Sequence, residues 1–138
     1  MGGLTLDTGA LIALEDAPRI GSSDRVRAIS LAIADDERMV TVPAPVIGEW
    51  WRGQRGPVVR LLDGIEVEPM DREIAERAGL VLAAIKKFDR KARENLLLVD
   101  AVVVIGAAAR GDTIYTSDVD DLERVRVAGG FDVKILGV

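Results

Sequence analysis

Two hydrophobic rhythms, period two and period three to four, take turns along the chain. Leu4-Thr5-Leu6 alternates as a strand does and meets Asp7, and Thr8 to Leu14 then carries helix formers, so a strand followed at once by a helix is expected. Ser22 to Ala34 suits a second helix, with Ser22 or Ser23 as its cap and Val26, Ile29 and Ile33 at helical spacing. Met39 to Val42 is a short β-branched segment stopped by Pro43, and Pro45 fits the first turn of a helix through Trp51 that ends near Gly53 or Gly56. Val58 to Leu62 predicts a short helix and Ile65 to Val67 a strand. Asp71 opens a helix whose Ile74, Ala78, Val81, Leu82 and Ile85 share one stripe, and this helix closes in the basic run Lys86 to Arg93.

The last third of the chain is organised around LLLVDAVVVIGAAARGDTIYTSDVDDL, Leu96 to Leu122. Between Leu96 and Ala109 the only polar side chain is Asp100, and burying an ionised carboxylate costs several kcal/mol unless it is paired, capped or bound to a cation. After this apolar helix a strand is expected at Thr113 to Tyr115, a short helix from about Val119 to Val125, and a last strand near Val133 to Leu136. Strands alternating with helices imply a largely parallel sheet covered on both faces, a single α/β/α domain over residues 1–138.

That topology places the acids. In a parallel sheet the carboxyl ends of the strands and the amino ends of the following helices share one edge, where open α/β sheets put their sites. Asp7 ends the first strand, Glu49 lies in the helix after the second, Asp100 sits near the start of the apolar helix, and Asp118 follows a later strand. Each has a plainer reading alone. Asp7 and Asp118 suit helix caps, Asp120 and Asp121 suit a first helical turn, and Glu49 suits a solvated helix face. Capping predicts no shared cation, however, whereas several carboxylates crowded together demand a divalent ion or raised pKa values. Taken together, the acids read as a metal site.

Composition narrows the chemistry. The chain has neither cysteine nor histidine, which removes disulfides, thiolate nucleophiles, zinc–cysteine sites and every histidine-based triad. Catalysis would have to run on carboxylates, hydroxyls, Lys, Arg or Tyr115, and hard oxygen ligands of that kind suit Mg²⁺ or Mn²⁺. No apolar run reaches the roughly 18 residues of a membrane span. The opening MGGLTLD has no basic segment of a secretion signal, so the cytoplasm is the default location.

The segments LTLDTGALIAL, VPAPVIGEWWRG, LLLVDAVVVIGAAARGDTIYTSD and DVDDLERV resemble the PIN-domain ribonucleases, most closely the small VapC-type toxins of toxin–antitoxin modules. The resemblance covers nearly the whole chain in order. It implies a parallel five-stranded sheet between helices, and a homodimer with an antitoxin laid over a groove near the site. By the same resemblance Asp7, Glu49, Asp100 and Asp118 would hold Mg²⁺ or Mn²⁺, with Thr116 hydrogen-bonding among them and Asp121, or less securely Asp120, as a further acid. The implied activity is metal-dependent endonucleolytic cleavage of RNA, leaving 5′-phosphate and 3′-hydroxyl ends.

A net charge of −5 sets a difficulty for an enzyme that must hold a polyanion. Arg52 and Arg55 after Glu49, and the run Lys86, Lys87, Arg90, Lys91 and Arg93 leading to the Asp100 helix, are the candidates for phosphate contacts. The same run also suits a helix C-terminus by its dipole alone. Of the adjacent Trp50 and Trp51, one is expected in the core. Other acid-bearing α/β folds fit less well. A haloacid-dehalogenase-type phosphatase needs an Asp where Gly9 stands, no phosphate-binding glycine motif is present, and a receiver domain has no use for Glu49. A catalytically silent PIN-like module that binds or regulates a partner is the alternative from another class.

Overall fold

A computed structural model of the chain describes residues 2–35, 38–51, 62–89 and 94–138, without the side chains of 94–96. The five strands are β1 (Leu4–Leu6), β2 (Val40–Pro43), β3 (Glu66–Glu68), β4 (Thr113–Thr116) and β5 (Lys134–Gly137). They form one all-parallel sheet in the order β3-β2-β1-β4-β5. Among the described residues six helices occupy the connections: α1 (Thr8–Ile20), α2 (Asp24–Ala34), α3 (Ala44–Trp51), α4 (Arg72–Phe88), α5 (Glu94–Arg110) and α6 (Val119–Gly129).

All three residues of β1 are buried although successive side chains point to opposite faces, so both faces of the sheet are covered. α5 crosses β1, β2 and β4 and packs on α4 and α6, while α1 packs on β1 and β4 with α2 and α3 beside it. Leu4, Leu6, Val40, Val42 and Ile114 from the strands meet Ala10, Leu11, Ile29, Val102 and Ile105 from the helices in one core. No described helix is long and apolar enough to cross a membrane.

The alternation of elements is the expected one, with local differences that have physical causes. Ser23 caps α2 and Asp71 caps α4, their side chains accepting from Val26 N at 3.2 Å and Ile74 N at 2.9 Å. α1 does not stop at Leu14 but runs through Pro18 to Gly21, whose φ of 88° ends it. Its extra turns are held where Glu15 accepts from the indole of buried Trp50 at 3.1 Å, a tie to α3. β2 takes in Pro43 rather than stopping before it, and α6 extends past Val125 to Gly129. Trp50 is the core tryptophan, and Trp51 stands half-buried with its ring edge-on to it. Residues 58–61 of the expected short helix lie outside the described residues, as do Arg52, Arg55, Arg90, Lys91 and Arg93.

Candidate metal centre

The chain turns from one side of β1 to the other at its pairing with β4, where Leu6 stands beside Tyr115 and the amide of Asp7 donates to the Tyr115 carbonyl at 3.2 Å. This is the switch point of the sheet, and its carboxyl edge is the favoured place for a site. Asp7 leaves β1 here and Thr116 leaves β4 beside it.

Asp7 is buried and has two tasks. One carboxylate oxygen caps α1, accepting from Ala10 N at 3.0 Å, and the other accepts from the Thr116 hydroxyl. Thr116 Oγ1 itself accepts from the Asp118 amide at 2.8 Å, so its single proton is committed to Asp7. The Asp118 amide, the Thr116 hydroxyl and the Asp7 carboxylate therefore form one directed chain. Burial holds the Asp7 carboxyl above the usual carboxylate range, and the Thr116 bond offsets part of that rise.

Asp7, Thr8, Gly9 and Ile12 from α1 and the loop before it, Glu49, Val99, Asp100, Ser117, Asp118 and Asp121 line a cavity of about 280 Å³. Asp100 is at its electrostatic centre. It lies within α5 rather than at its cap, among Ala101, Val102 and Leu97 of the core. Burial first, and then the charges of Asp121, Asp7, Asp118 and Glu49, push its carboxyl up to about 7. All four other acids of the cavity thus act on this one group.

Asp118 stands at the cap position of α6 but makes no side-chain capping bond. Its carboxyl instead meets Asp121, whose pKa is raised by burial and by this contact, while Arg124 opposes the rise. Asp121 faces the cavity, whereas Asp120 lines a separate groove between α4 and α6. Glu49 is an exposed residue of α3, on a solvated helix face. It reaches the site because the Thr8 hydroxyl, next to Asp7, bonds its carboxylate at 2.7 Å. Sequence reasoning passed over Thr8, whose only visible signal is its place directly after Asp7.

Lys86 and Lys87 are exposed in the last turn of α4, a place the helix dipole favours for cations. Gly9 explains how α1 and the β4–α6 turn come together. A Cβ there would stand 1.8 Å from Ser117 Oγ and 2.6 Å from Ser117 Cβ. Among the described residues no three acids stand close enough to cage an ion by themselves. The donors are nonetheless all carboxylate or hydroxyl oxygens, and such a set suits Mg²⁺, which keeps several waters and takes one or two carboxylates directly.

Several solved structures share this fold, two of them VapBC complexes. One is VapBC2 from Rickettsia felis bound to a DNA fragment from its promoter, with a TM-score of 0.66 and 12% identity, covering 98% of each chain. The other is DNA-bound VapBC from Salmonella typhimurium, with a TM-score of 0.67 and 16% identity, covering 99% of this chain and 98% of that one. No protein-family model matches the sequence, and no curated protein does. The fold is thereby defined as the PIN-like α/β arrangement found in these VapBC complexes.

Proposed function

We propose that the protein is a divalent-metal-dependent endoribonuclease, the toxin of a cytoplasmic toxin–antitoxin pair, with Mg²⁺ or Mn²⁺ held among Asp7, Glu49, Asp100, Asp118 and Asp121. The observation that carries this reading is the convergence of Asp7, Glu49, Asp100, Asp118 and Asp121 on one cavity, where burial and the four other acids raise the Asp100 carboxyl. A fold that brings five carboxylates to the lining of one small cavity is arranged for an added cation. The VapBC complexes of like fold support a protein partner, as does the resemblance to VapC-type toxins.

When bound, such an ion supplies charge neutralisation at the scissile phosphate and an activated water. The chain's own groups have separate duties. Thr116 holds the Asp7 carboxylate in one orientation, and Thr8 holds Glu49 at the mouth of the cavity. Asp100, whose carboxyl is raised by burial and by its acidic neighbours, would be the group whose ionised form a bound cation favours most. Ile12 and Val99 add an apolar patch to the lining beside the acids. Lys86 and Lys87, with Arg52, Arg55 and Arg90, are assigned to substrate phosphates.

The spacing of the acids also suits the alternative, a catalytically silent module that only binds its antitoxin. One experiment separates the two. Purified protein is incubated with total RNA and Mn²⁺, the new ends are mapped, and Asp7→Asn and Asp100→Asn are run beside it. The nuclease reading expects metal-dependent cuts that both variants lose while still folded. Equal cutting by the variants would remove the site, and no cutting by folded wild-type protein would favour the silent module.

A further inference from the structure

At the far end of α5 from Asp100 stands a polar cluster that the proposed chemistry does not use. The Arg110 guanidinium donates through Nε to Asp112 Oδ2 at 2.9 Å, through Nη2 to Thr5 Oγ1 at 2.8 Å, and through Nη1 to Glu68. Thr5 in turn donates to Asp112 Oδ2 at 2.8 Å, and Asp112 Oδ1 accepts from the Gly3 amide at 2.8 Å. One side chain thereby ties the end of α5 to the edge strand β3, to the central strand β1, and to the residue that leads into β4. Gly106, one turn earlier on the helix, makes the close approach of Glu68 possible. A Cβ there would fall 2.4 Å from Glu68 Oε1.

Between Asp100 and Arg110 every side chain of α5 is apolar and offers no directional bond. Ala101, Val102, Val103, Val104, Ile105 and Ala107 are buried, and apolar burial fixes depth far better than it fixes sliding along an axis. Asp100 lies ten residues before Arg110, about 15 Å along a rigid helix at about 1.5 Å per residue. Any axial slip at the clamp is delivered to the acid pocket undiminished.

We propose that Arg110 is a positioning residue for the metal centre: its three-strand clamp, completed by Glu68, Thr5 and Asp112, sets the axial register of α5 and so the place of Asp100 relative to Asp7 and Glu49. The inference rests on the reading of the acid pocket as an ion site. Groups that hydrogen-bond a metal ligand directly are worth about 10- to 100-fold in metal affinity, and a clamp acting one step further out is placed at the lower end of that range.

The test uses Arg110→Lys, which keeps the charge but cannot span three acceptors, and Glu68→Gln, a milder change that keeps the shape should the first fail to fold. Ile29→Val, a core change in α2 away from the site, serves as a control for general loss of stability. Binding of Mn²⁺ alone is measured for each, together with the backbone amide NMR signals of Asp7 and Asp100 in metal-free protein. The clamp variants are expected to bind Mn²⁺ about tenfold more weakly and to shift both amides, while Ile29→Val lowers the melting temperature and moves neither. Wild-type affinity and unshifted amides in the clamp variants would overturn the proposal, as would an equal loss of affinity in Ile29→Val. Should wild-type protein bind no Mn²⁺, the ion reading fails, and the two amide signals still decide whether Arg110 places Asp100.

Discussion

The hydroxyl of Thr116 donates to the carboxylate of Asp7, a residue 109 positions earlier in the chain, and this bond joins the ends of the two central strands. An ionised carboxylate can only accept, so the Thr116 proton points to Asp7 while the Asp118 amide donates to a lone pair of the same hydroxyl. Thr116→Val keeps the shape and removes the donor. A hydrogen bond to a charged group is worth about 1.5–3 kcal/mol, so the variant is expected to be less stable by about that much. With its lowering influence gone, the Asp7 carboxyl should rise further, and Mn²⁺ affinity should fall by about tenfold or more. Chemical denaturation and calorimetry check the two effects.

Gly9 and Ser117 form the second contact between these strand ends, and here the constraint is steric. Gly9→Ala would force its methyl group into Ser117 Cβ, which cannot rotate away as Oγ can. Overpacking of this kind costs about 1–3 kcal/mol and should part Asp7 from the β4–α6 turn. Ser117→Gly in the same chain is expected to restore most of the loss, and Ser117→Ala, which keeps the Cβ, little of it. Melting temperatures of the three variants decide the matter.

Protonation gives a prediction with a definite sign. Asp100, Asp7 and Asp121 all have carboxyls raised above the ordinary value, so the folded protein holds more protons than the unfolded chain between about pH 4 and about 7. Their contribution to stability is fully present below the unfolded value and is lost as pH rises through about 7. The metal-free melting temperature should therefore fall across this window. Asp100→Asn, which cannot ionise, should melt higher than wild type above pH 7 without metal and show a shallower fall. A wild-type midpoint that climbs through the same window would contradict the crowding of these acids.

Much of this was legible in the sequence because its signals are local. Period-two segments gave the strands, Ser23 and Asp71 announced their helices, and acids directly after strands marked the functional edge. Asp100 stood out because an unbroken aliphatic run makes any carboxylate expensive. The rest depends on partners that no local pattern reveals. Thr8 looked like a helix-starting threonine, yet its value lies in a bond to Glu49, 41 residues away. Arg110 and Asp112 carry no local signal of their role, because both bond Thr5, 105 and 107 residues distant. Asp120 and Asp121 were inseparable by type and spacing, and only the rotation of α6 turns one to the cavity and the other to the α4 groove.

The central claim is that these acids form one ion-holding pocket, and calorimetric titration of Mn²⁺ into metal-free protein addresses it directly. Wild type is expected to bind with a saturable heat, to release more protons as pH is lowered toward the Asp100 value, and to lose about tenfold or more in affinity on Asp100→Asn. A flat titration, or equal affinity in wild type and Asp100→Asn, would contradict it.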